Sequence, residues 1–397
     1  MNKTDKKIKM VKLGEVCKFV RNGKSIKQDK SGKGIPITRI ETIWNWEIDQ
    51  SRVGFSDINE GYESHLLQKG DVLLSHINSM EHIGKNAIYE GIPEKIIHGM
   101  NLLCLRPKAN LMFPKYFLYS LRTPQFRKQL MRFVNKAVNQ ASVSGTNIKN
   151  LKIPLPPLAE QKRIAEILDL ADEARRKCKK NLALYDDLIR SLFLKTFGDP
   201  VSNPMGYEFK ALGKICDVRD GTHDSPKYVE KGYPLLTSKN LKDGYVDLSD
   251  INMISESDYE QINKRSKVDL GDILMPMIGT VGNPVLVEEK PEYAIKNMAL
   301  IKFVPDSPDP LYVLHLLSSH YFDHATKASN RGGTQKFISL GNIRKLPIPI
   351  PDLGRQEAYI EQAEEINAQK VREKALYEQH DNLFNALLQR AFKGDLG

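Results

Sequence analysis

The sequence predicts an α+β protein made of two repeats, in which a mixed α/β domain is followed by a long helix. Three observations carry this prediction. They are a sequence repeat at an offset of about 195 residues, a heptad pattern behind each copy of a proline-rich segment, and short β-branched runs in front of it. Two equivalent helices can pair, and a pseudo-twofold relation between the repeats would make that pair an antiparallel coiled coil. The alternative is that each helix packs only on its own domain.

The repeat is clearest at the proline-rich segment. The run NIKNLKIPLP at 147–156 matches NIRKLPIPIP at 342–351. Nearer the start of each copy the offset drifts, since LGEVC at 13–17 matches LGKIC at 212–216. We therefore predict a first domain at 1–157, a spacer helix at 158–204, a second domain at 205–352 and a second spacer helix at 353–397.

The two predicted helices differ in how regular their heptad patterns are. The first has apolar or small residues at alternating steps of three and four over about four heptads, and only Arg175 interrupts this seam. Pro157 suits its first turn, and Gly198 suits its C-terminal stop. The second helix follows Asp352, a good N-cap residue, but its seam is poorer. About 40 residues at about 1.5 Å each give a helix of about 60 Å.

The domains in front of the helices combine strands with short helices. Strands are predicted from β-branched runs such as 35–40, 72–74 and 299–301, which are separated by Gly, Pro, Asn and Asp. The segments 116–126 and 312–324 are each predicted to form a single helix.

The charge is concentrated in the first domain. The net charge is +10 at pH 7, and residues 1–157 hold 26 lysines and arginines against 13 acidic residues. The second domain is slightly acidic. A cationic region of this size suggests a polyanionic partner such as nucleic acid, and a solvated lysine surface is the alternative.

The sequence lacks the motifs of catalytic proteins. Gly23-Lys24-Ser25 resembles the end of a phosphate-binding loop, but Lys18 stands where the first glycine is needed. There is no glycine-rich cofactor loop, no Asn-Pro-Pro-aromatic run of amino-methylating enzymes and no carboxylate–lysine pattern of nucleases. His320 and His324 are spaced for a metal, but ordinary surface histidines are favoured. We therefore expect a recognition protein that has no catalytic site and holds no metal.

The cysteines and the apolar stretches indicate the cellular compartment of the protein. Four cysteines form no CxxC pair, which fits a reducing compartment. No stretch suits a signal peptide or a membrane span. We expect a cytoplasmic protein without a membrane partner.

Several motifs together resemble a known family. The run LKIPLPPLAEQKRIAEIL at 151–168 resembles the central conserved region of type I restriction-modification specificity subunits. The second copy, from 346 to about 360, resembles their C-terminal conserved region. The runs RDGTHDSPKY at 219–228 and GDIL at 271–274 resemble the framework of their target recognition domains. The resemblance covers essentially the whole chain.

The resemblance implies a DNA-recognition subunit without an active site. Such subunits hold two target recognition domains at opposite ends of an antiparallel helix pair. Each domain reads one half of a split, asymmetric DNA sequence, and the helices set the spacer. The implied partners are double-stranded DNA, modification subunits and, where one exists, a restriction subunit. The chain itself would bind no cofactor, because S-adenosylmethionine, ATP and magnesium would be held by partner subunits.

The start of each spacer helix is our candidate contact with modification subunits. The candidate residues are Glu160, Gln161 and Gln356, and helix capping is the alternative for all three. The second copy departs from the family pattern here, because Arg355 replaces Glu160.

Base recognition requires Arg, Lys, Asn, Gln, Ser or Thr on loops that face a groove. In the first domain the expected phosphate contacts are Lys24, Lys27, Lys30 and Lys33, and the expected base-reading residues are Arg39, Trp44, Asn45, Ser75, Asn78 and Ser79. In the second domain the candidates are Thr237, Ser238, Lys239, Asn240, Gly279, Thr280, Arg331, Thr334 and Gln335. Plain surface loops, and core packing for the tryptophan, are the alternatives.

Rival functions make different predictions. A self-contained restriction-methylation enzyme would methylate DNA without partners. A coiled-coil scaffold would bind DNA without sequence preference. A transcriptional regulator should show a short recognition helix after a tight turn, which the sequence does not show.

Overall fold

The computed structural model describes residues 8–58, 60–137, 140–242, 244–279, 281–327 and 337–396. The chain divides into two compact units: the first consists of Met1–Lys179 with Ala375–Gly397, and the second of Lys180–Lys374. Each boundary falls inside a long helix. Each unit therefore contains one domain, the first half of its own helix and the last half of the other repeat's helix. This division differs from the one drawn from sequence at 157, 204 and 352.

The first repeat has the following elements in chain order, and its long helix continues into the second unit. Its strands are β1 (Met10–Lys12), β2 (Cys17–Asn22), β3 (Ile35–Ile37), β4 (Ile43–Trp44), β5 (Glu47–Ile48), β6 (Gly54–Ser56), β7 (Val72–Ser75), β8 (Ile77–Asn78), β9 (Asn86–Ile88), β10 (Leu102–Pro107), β11 (Asn135–Lys136), β12 (Ala141–Ser142) and β13 (Lys152–Pro154). Its helices are α1 (Leu13–Val16), α2 (Pro114–Ser120), α3 (Pro124–Met131), α4 (Gly145–Asn150) and the long α5 (Leu158–Phe197).

The second repeat follows the same order with additions. Its strands are β14 (Glu208–Ala211), β15 (Asp217–Asp220), β16 (Tyr228–Val229), β17 (Tyr233–Leu236), β18 (Leu241–Lys242), β19 (Tyr245–Val246), β20 (Asn252–Ile254), β21 (Ile273–Pro276), β22 (Val285–Leu286), β23 (Ala294–Ile295), β24 (Met298–Lys302) and β25 (Pro347–Ile350). Its helices are α6 (Leu212–Ile215), α7 (Glu256–Ser266), α8 (Pro310–Leu317), α9 (His320–Thr326), α10 (Leu340–Arg344) and the long α11 (Leu353–Lys393).

A four-stranded antiparallel sheet in the order β2-β10-β7-β9 is the centre of the first unit. Neighbouring residues of a strand face opposite sides, so Leu103 and Leu105 enter one core while Leu102 and Cys104 enter another. The first core also contains residues of α2, α5 and the end of α11. The second core lies beneath residues 23–66, which we call the first lobe. The sheet therefore joins the helices on one face to the lobe on the other.

The second unit repeats this sheet in the order β15-β24-β21-β22. Met275 and Ile301 enter the helix-side core, and Leu274 and Leu300 enter the opposite one. Its lobe differs, because it has a second sheet, β16-β20-β17-β23, with a parallel pair β17–β23, and the additional helix α7. The drifting sequence offset thus corresponds to a shared sheet that carries different lobes.

The long helices pair antiparallel inside each unit, as the sequence predicts. In the first unit, Arg163 of α5 contacts the Leu396 carbonyl, and Arg175 lies 2.8 Å from Asp381 of α11. Residue numbers increase along α5 while those of their contact partners decrease along α11, so the two helices run antiparallel. The same inverse order holds in the second unit.

In the second unit, Asn181 donates to Glu373 at 3.0 Å, and Lys370 lies 2.5 Å from Asp186. Aromatic packing continues this pairing, since Phe193 and Tyr359 meet edge to face with ring centroids 5.7 Å apart. The α+β class and the antiparallel helix pairing predicted from the sequence are confirmed.

The helix boundaries follow from caps. Gly198 ends α5 with a φ of +74°, and the Asp352 carboxylate accepts from the Arg355 amide at 2.9 Å at the start of α11. The prediction of single helices over 116–126 and 312–324 is wrong. Thr123 caps a new helix at Pro124, and Ser319 caps another at His320, so each segment is two helices.

Candidate nucleic-acid interface

The lysines expected to contact phosphates lie on residues 23–34 of the first lobe. Lys27 and Lys33 are exposed to solvent. Lys24 is half-buried, and its ammonium group donates to the Gly61 carbonyl, which ties the segment to the far end of the lobe. Two of these lysines are thus free to face a polyanion, while Lys24 also serves the fold.

Lys30 lies beside Arg39 at one edge of the first lobe. Both cations lie 3.3 Å from a Glu41 carboxylate oxygen. The Arg39 amide donates to the Thr42 hydroxyl at 2.7 Å, which fixes the short 3-10 turn that follows. The structure therefore brings these two predicted DNA contacts together, with one carboxylate between them.

The hairpin formed by β4 and β5 turns towards α5. Asn45 and Trp46 both have positive φ, at 48° and 65°, as a type I′ turn requires. The Asn45 amide oxygen accepts from Lys179 at 3.2 Å, and Glu47 pairs with Arg176. Asn45 thus contacts the helix in this structure. Trp44 is 43% exposed and lies under the Arg52 guanidinium at 3.9 Å, which leaves its outer edge open.

A buried arginine secures this hairpin. Arg122 donates to the Trp46 carbonyl at 2.8 Å and to Asn86 at 3.3 Å, and its guanidinium lies 3.8 Å from Asp172. Burial lowers the pKa of Arg122 to about 10, and the Asp172 carboxylate opposes that shift. This cluster could not be predicted from the sequence, because its members come from distant segments.

Ser75, Asn78 and Ser79 lie where β7 ends and β8 begins. Ser75 is buried, and its hydroxyl accepts from the Asn78 side chain at 3.2 Å. The Asn78 amide oxygen in turn accepts from the Ser79 backbone at 2.9 Å. Ser75 therefore supports the turn from inside, whereas Ser79 is exposed.

The segment 237–240 forms the same 3-10 turn in the second unit. Asn240 is buried, and its amide donates to the carbonyls of Asp247 and Asp250 at 3.1 and 3.0 Å. Its oxygen accepts from the Thr237 amide and hydroxyl. The expectation that Asn240 contacts DNA does not fit these bonds, because every polar atom of its side chain is used inside the lobe. Ser238 is half-buried beside it.

Lys239 is the exposed cation of this turn and lies 3.2 Å from Asp250. Gly279 is also exposed, with a φ of +83°, at the position that matches Asn78. The remaining second-domain candidates, Thr280, Arg331, Thr334 and Gln335, lie outside the described residues.

The glutamines near the starts of α5 and α11 are buried and bond backbone groups of their own domains. Gln161 is fully buried; its oxygen accepts from the Phe113 amide at 2.8 Å, and its nitrogen donates to the carbonyls of Leu111 and Pro156. Gln356 makes the matching bonds to Asp309 and Pro351. A partner contact by either side chain does not fit this burial, and the capping alternative does.

Glu160 differs from the glutamines because it is only half-buried. Its carboxylate pairs with Arg163 at 2.7 Å, and that bond lowers the pKa of Glu160. Glu160 thus stays available to a partner. In the second unit Arg355 takes this position and donates to the Tyr207 hydroxyl at 2.9 Å.

The repeated Gly-Asp motif has a structural role. Asp71 forms a two-pronged ion pair with Arg106 on β10, with both contacts at 2.7 Å. In the second unit Lys302 on β24 pairs with Asp272 at 2.5 Å. The motif recurs because its buried carboxylate needs a cation on the neighbouring strand.

Sequence reasoning missed the edge strand β11, which pairs with β12 beside β8. Asn135 and Lys136 are both exposed there. The sequence does indicate a cationic surface in this region. The chain has no aspartate or glutamate from 95 to 159, although eleven lysines and arginines fall in that run.

The described residues show neither a metal site nor a membrane span. No group of three or more His, Cys, Asp or Glu side chains in that part of the chain is arranged to hold a metal. None of its helices is long and apolar enough to cross a membrane.

A duplicated sheet, two different lobes and a shared antiparallel helix pair define a two-domain recognition protein. The family model described as the type I restriction modification DNA specificity domain matches this chain twice, at 5–183 and 204–368. The chain belongs to this family of type I restriction-modification specificity subunits. As such it is a DNA-recognition subunit and not itself catalytic.

Named specificity subunits and a solved S subunit are similar to this chain over different shares of its length. The putative type I restriction enzyme MjaX specificity subunit of Methanocaldococcus jannaschii is 35% identical over 358 residues, which cover 87% of this chain and 83% of that protein. The EcoKI specificity subunit of Escherichia coli is 28% identical over 196 residues, 48% of this chain and 42% of that protein. The solved type I S subunit from M. genitalium has the same fold, with a TM-score of 0.57, 14% identity and 98% of both chains covered.

Proposed function

We propose that this subunit reads a split, asymmetric DNA sequence, with one half-site assigned to each unit. One observation supports this above the others: the two units share a sheet and a helix junction, and they differ in their lobes. Features present in both units, such as the Gly-Asp pair and the buried glutamines, serve the fold. Discrimination between two different half-sites then falls to the parts that differ.

The two units would hold DNA in different ways. The first domain carries the whole net positive charge, so its affinity should depend steeply on salt through phosphate contacts. The second domain is slightly acidic and would rely more on hydrogen bonds to base edges and on help from partner subunits.

The proposed partners are modification subunits and, where the system has one, a restriction subunit. A solved structure described as showing complex assembly of the type I restriction-modification system matches this fold with a TM-score of 0.50, at 19% identity. In the proposal, partners hold S-adenosylmethionine, ATP and magnesium, and the complex works on cellular DNA in the cytoplasm. Half-buried Glu160 is the remaining candidate for contact, and the helix pair would set the spacer.

The test is a map of N6-methyladenine in cells that carry the modification subunits, with and without this gene. A split methylated motif that disappears with the gene is the expected result. An unchanged methylation pattern would contradict the proposal, and binding without sequence preference by the purified complex would favour a scaffold instead.

A further inference from the structure

One arginine of the second unit is held by a carboxylate and still faces solvent. Arg265, in the last turn of α7, donates to Asp220, and its side chain is 66% exposed. Asp220 lies at the end of β15 and is buried, with 6% of its surface exposed. A buried carboxylate beneath an exposed guanidinium fixes the direction in which the remaining N–H groups point.

Both carboxylate oxygens of Asp220 are used in this arrangement. Oδ1 accepts from Arg265, and Oδ2 lies 2.9 Å from Nε2 of His223. The other ring nitrogen of His223, Nδ1, lies 2.8 Å from the Asn297 amide oxygen. His223 therefore keeps Asp220 in place with both of its nitrogens engaged, whereas the bond to Asp220 engages one of the three guanidinium nitrogens of Arg265.

A matching backbone contact shows which residue of the first unit corresponds to Arg265. Arg219 donates to the Arg265 carbonyl at 3.2 Å, and Arg21 donates in the same way to the Ser64 carbonyl. The two donors are themselves equivalent, because each is followed two residues later by a glycine at the end of the first strand of its sheet. Ser64 thus occupies the position of Arg265.

The side chains around this shared contact differ between the units. Asn22 stands in the place of Asp220, and Ser25 stands in the place of His223. The first unit therefore keeps the backbone contact without the carboxylate, the histidine or the arginine. Since features common to both units serve the fold, a group present in one unit alone is suited to the recognition of one half-site.

Cations surround this group, although the second domain as a whole is slightly acidic. Lys264 is exposed next to Arg265, and Lys296 donates to the Ser225 hydroxyl at 2.6 Å in the loop after β15. Asp224 is exposed on the same loop. The second unit can thus attract a polyanion here through a few placed cations rather than through its net charge.

We infer that Arg265 reads a guanine in the half-site of the second unit, and that Asp220 and His223 are its positioning residues. This inference rests on the proposed function. It adds to the residues expected from sequence to contact DNA, which include none of these three.

A guanidinium held in this way matches the major-groove edge of guanine. That edge presents two acceptors, O6 and N7, and one arginine side chain can donate to both at once. A freely rotating arginine reaches phosphates and bases alike, whereas the bond to Asp220 limits Arg265 to one direction. If Arg265 only complemented the C-terminal end of the α7 dipole, its loss would lower stability without changing the preference for any base.

The experiment uses the full chain in complex with its modification subunits. Arg265→Ala and Arg265→Gln test base reading, and Asp220→Asn, alone and combined with Arg265→Ala, tests positioning. Lys264→Ala is the matched control, because it removes the neighbouring exposed cation of the same helix turn. Methylated motifs are mapped in cells, and DNA affinity is measured for the wild-type site and for single-base variants of it.

Thermal unfolding shows whether each variant is folded. Arg265→Gln retains a side-chain N–H that can donate to Asp220, and the double variant removes the charge that Arg265→Ala leaves without its arginine. The test therefore does not depend on the stability of Arg265→Ala.

We expect both Arg265 variants to relax one guanine position in one half-site and to reduce discrimination there by about 5- to 150-fold. Asp220→Asn should reduce discrimination at the same position. It should add nothing in the Arg265→Ala background, because Asp220 acts through Arg265. Lys264→Ala should leave the base preferences of both half-sites unchanged.

Two failures are distinguishable. If the wild-type complex yields no split motif, the proposed function fails. If the wild type yields one and the Arg265 variants keep every base preference, the reading role of Arg265 is overturned while the proposed function stands. Equal weakening of all sequences, or loss of a modification subunit with unchanged base preference, would overturn that role in the same way.

Discussion

Arg175 of α5 and Asp381 of α11 form an ion pair with an N–O distance of 2.8 Å, and Arg175 also lies over the Phe384 ring at 4.0 Å. The second unit repeats this pair with the roles of the helices exchanged, because Lys370 and Asp186 lie 195 residues from its members. Arg175 was the single interruption of the predicted apolar seam. A polar seam residue with one matching partner fixes the register and direction of a helix pair.

Removal of Asp381 should therefore destabilise the chain. Asp381→Ala leaves the half-buried Arg175 with Asp172 alone, and we expect the free energy of unfolding to fall by about 1–3 kcal/mol. Asp187→Ala is the control, since its pair with Arg190 is exposed and should contribute less than about 1 kcal/mol. Urea unfolding of both variants measures the difference. Equal effects would refute a register role for Arg175 and Asp381.

The buried side chain of Gln161 at the start of α5 gives a second prediction. Gln161→Ala leaves the Phe113 amide and two carbonyls without partners, which should cost about 2–4 kcal/mol of stability. Lys162→Ala, at the exposed neighbouring position, should change stability by less than about 0.5 kcal/mol. Thermal unfolding and co-purification with modification subunits are measured together. Unchanged stability with lost assembly would restore Gln161 as a partner contact.

Buried histidines predict an acid-sensitive first unit. Burial lowers the pKa of His98 to about 4, and burial lowers that of His76 to about 4 as well. Between pH 6.5 and 4 the unfolded chain binds protons that the folded chain does not. Stability contributed by the neutral histidines is therefore complete above pH 6.5 and is lost as the pH falls towards 4.

His98→Gln should flatten this dependence, because one group that titrates only in the unfolded chain is removed. Urea midpoints at pH 7.5 and 4.5 should differ less in the variant than in the wild type, by up to about 3 kcal/mol in the free energy of unfolding. His324→Gln, which replaces an exposed histidine, is the comparison. The same pH dependence in His98→Gln and the wild type would contradict the assignment.

The shared sheet and the long helices could be predicted from the sequence because the same pattern occurs in both repeats. The Asp352 cap, the Gly198 stop and the helix seam each depend on local chemistry that the pattern displays. The lobes could not be predicted, because their partners come from distant segments. Nothing in the sequence near Asn240 shows that two carbonyls of its own lobe occupy its amide, and nothing near Arg122 shows that it holds the Trp46 turn.

The unit boundaries allow a direct test of the spacer role. They fall after Lys179 in α5 and after Lys374 in α11, positions that differ by the repeat offset of 195. Seven residues inserted at both points preserve the heptad phase, and each unit keeps its own ion pair between the helices. Seven residues add about 10 Å of helix, close to the length of about three base pairs.

We therefore expect the double insertion to lengthen the non-specific spacer of the methylated motif by about three base pairs while both half-sites keep their bases. An insertion in α5 alone should instead abolish specific methylation, because it shifts one helix past the other. Methylation mapping with each variant is the measurement. Altered bases with an unchanged spacer after the double insertion would refute the role of the helix pair, since a ruler can change only the distance between half-sites and not their sequence.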